Sequence, residues 1–168
     1  MATEPIMIFS RTPDVPGVAR LLRTLSPKFQ LDGPEADWNS ATLVTGSLWK
    51  KRKLIFTHDK TYYSPPNWAV QLSGMHGYFS GFPDVPGKER VLNLIPTLGF
   101  ALGTMHEPDF RDGDERLDII TKVAESLDAV LFLPSSLRDA QGRILLSADG
   151  ESDPAALWPQ DAAGSIVQ

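Results

Sequence analysis

Chemistry in this chain could run through three histidines: His58 in THDK, His76 in GMHGY and His106 in MHEPD. Imidazole titrates near neutral pH and ligates metals, so each could act as a base, an acid or a zinc ligand. His58 and His106 are followed by Asp59 and Glu107, and both stand where predicted strands end, a usual place for site residues. Three histidines and a carboxylate could hold zinc and leave a position open for water. No spacing in the sequence forces them together, so separate histidines are the expected arrangement and no cofactor is expected.

A second candidate is the couple Asp14 and Asp84, which occupy the same place in a repeated motif. FSRTPDVPG (9–17) and FSGFPDVPG (79–87) agree at seven of nine positions, 70 residues apart. Two symmetric carboxylates suit acid–base work, but capping a helix N-terminus explains an aspartate before Val-Pro-Gly equally well. The fingerprints GxSxG, GxGxxG, Walker A and HExxH are absent. DFRDGDE (109–115) fails as a calcium loop, because aligning Gly113 with the loop's obligatory glycine puts Pro108 and Ile119 at its end positions.

These absences favour a non-catalytic protein-binding module of adaptor or inhibitor type; the alternative is a small hydrolase or lyase built on the histidines. Binding residues would be Tyr62 and Tyr63, in the aromatic stretch YYSPPNW, and the acidic Glu107, Asp109 and Asp112. Two adjacent tyrosines in an extended segment cannot both point inward. Trp68, by contrast, belongs to an inward stripe. Lys50-Lys51-Arg52-Lys53 reads as a basic hairpin tip that could meet phosphate or an acidic partner, and more simply keeps an edge from pairing.

The elements that must hold these residues follow from periodicity. IMIF (6–9) predicts a strand and 17–25 a helix, with Asp14 as its cap. Residues 28–40 read as loop; 41–49 and 53–58 read as a hairpin around the lysines. Trp68, Leu72, Met75, Phe79 and Phe82 form a helical stripe after a cap at Asn67, while Gly74, Gly77 and Gly81 line a neighbouring face and suggest a close backbone approach. A second PDVPG helix runs to Pro96, 99–105 is a strand, 114–128 a helix and 129–134 a buried strand. A turn at 139–142 leads to a strand from Arg143, and Asp153-Pro154 opens a short last helix.

The predicted fold class is therefore α+β: a single-domain sandwich over 1–159, with 160–168 a flexible tail. The repeat predicts an internally duplicated helix-plus-β-hairpin unit with pseudo-two-fold character, in halves of about 6–59 and 79–148. One conflict stands inside that prediction, since the first Phe-Ser ends a strand and the second ends a helix.

Composition bounds the rest. With 168 residues, 42% apolar and 22% charged, the chain can bury an ordinary globular core. Zero cysteines exclude disulfides and thiolate sites. The net charge of −5 is uneven: residues 1–76 hold nine Lys/Arg against six Asp/Glu, and 77–168 hold seven against fifteen. That balance argues against nucleic acid. No apolar run reaches membrane-spanning length, so a cytoplasmic protein with another protein as partner, and no membrane, is expected.

Overall fold

Alternation of apolar residues along the strands decides the architecture of the computed structural model, which describes residues 6–26, 28–61 and 64–160. The elements are β1 (Met7–Ser10), α1 (Val15–Leu25), β2 (Phe29–Asp32), β3 (Ser40–Ser47), β4 (Lys50–Thr57), α2 (Pro65–Ser80) and α3 (Pro86–Leu94). After a 3₁₀ turn over Ile95–Thr97 come β5 (Phe100–Glu107), α4 (Glu115–Ser126), β6 (Val130–Leu133), β7 (Ser136–Arg138) and β8 (Ile144–Ser147). The eight strands form one sheet in the order β2-β3-β4-β5-β1-β6-β7-β8, every pairing antiparallel. The α+β class is thus present.

Successive strand side chains point to opposite faces. On one face Ile8, Leu43, Leu54, Phe56, Leu102 and Leu131 pack against Val18 and Leu22 of α1 and Ile120 and Val123 of α4. On the other, Phe9, Ala101, Val130, Leu137 and Leu146 pack against Met75 and Phe79 of α2 and Val91 and Leu94 of α3. The predicted stripe holds: Met75, Phe79 and Phe82 are buried, and Trp68 and Leu72 pack beside them. Each such large apolar side chain contributes about 1.5–3 kcal/mol on burial.

The second helical layer covers only half of its face. Gln30, Thr42, Val44, Ile55 and Met105 share that face through the pairs Gln30–Thr42, Thr42–Ile55 and Ile55–Met105. Neither core cluster includes them, and Met105 is 53% exposed.

Several local expectations are corrected. The stretch 28–40 contains β2, which pairs Phe29 with Leu43 and so carries the sheet outward. The strand β7, by contrast, is the first arm of the hairpin that the duplicated unit implies around the turn at 139–142. Asp14 caps α1 as predicted, accepting from Gly17 N at 3.0 Å. Asp84 does not cap α3: Val85 is the N-cap, and the Asp84 carboxylate pairs with Lys88 at 2.9 Å. Val85 is extended before its proline, which carries the cap one residue along. Ser64, not Asn67, is the N-cap of α2, since Pro65 and Pro66 open the helix earlier. Around Gly74 and Gly77 nothing approaches within 4 Å of an added Cβ, because they line the open face of α2. Asp153-Pro154 makes a turn, not a helix, and the backbone N–H of Asp153 donates to Ile144 along the edge of β8.

The order β-α-β-β-β occurs twice, over 7–57 and 100–147, but the strand order has no two-fold exchange. The last hairpin strand of the first set, β4, borders β5, whereas the first of the second set, β6, borders β1. The two PDVPG motifs also open unlike elements. The first starts α1 on one face of the sheet, and the second precedes α3 on the other.

Candidate functional site

The histidines do not meet. His58 follows β4 and is half-buried between Trp38 and Phe100, with ring centroids at 6.3 and 5.3 Å. That burial lowers its pKa below 6.5. His106 has a side chain only 4% exposed, stacks on Phe110 at 3.9 Å and places Nε2 3.8 Å from Asp109 Oδ1. Its cross-strand partner is Leu54, four residues from His58, which sets the two histidines about 13 Å apart along the sheet. His76 is exposed on α2, which packs on the sheet face opposite His106. Among the described residues no three His, Asp or Glu side chains gather as metal ligands.

Asp14 and Asp84 are likewise apart, beside the N-termini of helices packed against opposite sheet faces. Of the expected contact residues, Tyr62 and Tyr63 lie outside the described residues. Glu107, at the end of β5, and Asp109 and Asp112, on the loop leaving it, are exposed. Trp68 turns inward, its indole N–H donating to Leu98 O at 3.1 Å.

That loop is held by Arg116, which is fully buried at the start of α4. Its Nε and Nη2 donate to the two carboxylate oxygens of Asp114 at 3.0 and 2.8 Å. Its Nη1 donates to the carbonyls of Lys53 and Pro108, and Nη2 also to Asp109 O. A guanidinium has five N–H donors in a fixed fork, and here five acceptors meet them. Hydrogen bonds from Arg116 hold the Asp114 carboxyl at a pKa of about 2, below its usual 3.8. A fully satisfied arginine is structural in role, and its bond to Lys53 O fixes the root of the β3–β4 hairpin.

Beyond that root the hairpin leaves the sheet. Pairing of β2 to β3 ends at Phe29–Leu43, and pairing of β5 to β4 ends at Lys53–Glu107. Thr45–Arg52, Gly46–Lys51 and Ser47–Lys50 therefore pair only with each other. Three paired residues per strand and the turn beyond them, four steps of about 3.3 Å from the Val44–Lys53 pair, make a free ribbon about 13 Å long. Leu48 and Trp49 form its turn, 79% and 94% exposed. Gly46 lets the turn close: its φ is +90°, and a Cβ there would stand 2.1 Å from Lys50 O.

No protein-family model, curated protein or solved structure matches this chain.

The sequence between Asp37 and Asp59 contains no acid and four consecutive bases, Lys50 to Lys53. None of the four has a carboxylate within ion-pair distance among the described residues. Lys51 and Lys53 project to one side of the ribbon with Lys28 near its root; Lys50 and Arg52 project to the other. Lys28, Lys51 and Lys53, with Gln30, Thr42 and Val44, line a concavity of about 520 Å³ on the uncovered sheet face. The expectation of a basic hairpin tip is thus corrected by a few residues. The lysines flank the tip, and the tip itself is Leu48-Trp49. Reading 41–49 as one strand hid this, although Gly46 followed by the abrupt change from apolar to basic marks a turn there.

Proposed function

We propose that the chain is a non-catalytic binding module that meets its partner with the β3–β4 ribbon. The observation that carries this reading is Trp49, 94% exposed at the end of a ribbon that no other strand supports. A large exposed aromatic costs solubility and contributes nothing to the core, whereas tryptophan dominates contact energies where it is buried by a partner. The surrounding bases specify negative charge on that partner. The ribbon takes the leading role expected of the 62–68 loop, with the acids of 107–112 on a neighbouring surface. The hydrolase or lyase alternative has no comparable support, since His58, His76 and His106 stand apart. The two β-α-β-β-β runs fit an internal duplication whose units begin at the strands, not at the PDVPG motifs.

The test is site-specific photo-crosslinking in the cells that make the protein. A benzophenone side chain replacing Trp49 should yield a discrete adduct that a probe replacing Val70, 68% exposed on α2, does not. Equal labelling from both positions would refute the ribbon as the contact surface. Trp49→Ala should weaken binding by about 2 kcal/mol or more, as for other buried tryptophan anchors.

A further inference from the structure

The ribbon's charges surround its axis, and this decides what kind of surface it fits. Lys51 and Lys53 point to one side, Lys50 and Arg52 to the other, with Leu48 and Trp49 at the end between them. A protein groove gripping one side of the ribbon would leave half of the charges in solvent. It would also gain only two apolar side chains, against the roughly 800 Å² per partner of a standard protein interface. A planar anionic surface approached end-on uses both sides at once.

We propose that the ribbon docks end-on to an anionic lipid bilayer, Trp49 and Leu48 entering the headgroup region and Lys50, Lys51 and Arg52 contacting acidic headgroups. This rests on the reading of the ribbon as the contact surface and names its partner; it departs from the sequence expectation of no membrane partner. Tryptophan favours the water–bilayer interface, where its ring is sheltered and its N–H stays wet. Basic side chains near such a surface each strengthen binding by about fivefold, and their long stems let the charges reach the phosphates while the backbone stays out. The acidic body would be repelled by the same surface. The ribbon's length of about 13 Å holds it more than one Debye length away, about 8 Å at physiological salt. No described helix is long and apolar enough to cross a membrane, and peripheral docking needs none.

The full chain should be sedimented with 100 nm vesicles of phosphatidylcholine alone or with about a third phosphatidylserine, while tryptophan emission is followed. Trp38 is fully buried, and Trp68 and Trp158 are partly so, so a change on binding reports Trp49. Expected are binding to the anionic vesicles only, a blue shift, and quenching by lipids brominated near the headgroup. Replacing Lys50, Lys51 and Arg52 together by Gln should weaken binding about a hundredfold, and Trp49→Ala about thirtyfold or more. Because these side chains are at the tip, circular dichroism and melting should match the parent chain. Absence of binding to anionic vesicles, or binding unchanged in Trp49→Ala, overturns the proposal. If vesicles fail while the benzophenone at position 49 gives a discrete protein adduct, the lipid partner falls and the ribbon reading stands. If neither binds, both fall.

Discussion

Arg116 Nη2 and Asp114 Oδ2 lie 2.8 Å apart, two residues from each other, with neither side chain exposed at all. A buried ion pair is costly to desolvate and is tolerated where every donor and lone pair is met. Here the remaining donors reach Lys53, Pro108 and Asp109, so one side chain joins the start of α4, the loop after β5 and the root of the ribbon. Position, more than energy, is what the pair supplies.

Removing one partner should therefore be severe. Arg116→Met leaves the Asp114 carboxylate buried without its counter-charge and should cost about 3–5 kcal/mol in urea denaturation. Arg116→Lys keeps the charge but loses the fork, and should also destabilise. A cost below about 1 kcal/mol for Arg116→Met would contradict the arrangement.

Acid should act through the same pair. The Asp114 pKa is depressed to about 2 by its hydrogen bonds with Arg116. Its contribution is therefore complete above the unfolded value of 3.8 and is lost as pH falls from there through about 2. The size is about 2 kcal/mol. Stability curves over this window should be flatter in Asp114→Asn than in the parent; an unchanged acid slope would remove Asp114 from the account.

His58 titrates in a different window. Desolvation lowers its pKa, partly opposed by a hydrogen bond to the Trp38 backbone and the nearby Asp37 charge. Its stabilising effect is present above 6.5, where it is neutral in both states, and declines as pH drops below 6.5 towards the folded value. An NMR titration should place the His58 midpoint below 6.5. A midpoint above that would mean that a carboxylate, not burial, dominates its surroundings.

The glycines of α2 offer a gain. Gly74 and Gly77 sit in the helix interior with open space where a Cβ would be. Gly74→Ala and Gly77→Ala should each raise stability by about 1 kcal/mol through helix propensity alone. A loss from either substitution in thermal denaturation would reveal a contact across that face.

Gly46 should behave in the opposite way. With φ at +90° and Lys50 O in the path of a side chain, Gly46→Ala should disrupt the ribbon. Because residues 45–52 pair only among themselves, the damage should stay local. Hydrogen exchange should quicken at Thr45 to Arg52 and stay unchanged at Leu43 and Leu54, which are fully buried. Faster exchange throughout the sheet would show the ribbon to be part of the core.

Local pattern made most of the elements legible. The stripe from Trp68 to Phe82, the apolar run of β6 and the cap at Asp14 each depend on neighbours a few residues away, and periodicity reports those directly. The misses are of another kind. β2 is a four-residue strand, Phe29 and Leu31 half-buried and Gln30 and Asp32 exposed, that exists because β3 offers it a partner. Asp84 looks like Asp14 in sequence, yet the chain turns differently at Val85 and the carboxylate goes to Lys88.

The candidate site divides in the same way. Sequence alone determined that four bases stand together in a stretch without acids, that no cysteine chemistry is possible, and that helices and strands alternate with two apolar faces to bury. Tertiary structure alone decided that the histidines stay apart, that the PDVPG helices lie on opposite sides of the sheet, and that Trp49 is outside the core. The reason is physical. An apolar residue is buried only if something covers it, and cover for Trp49 depends on where β2 and β5 stop pairing, which no local pattern records.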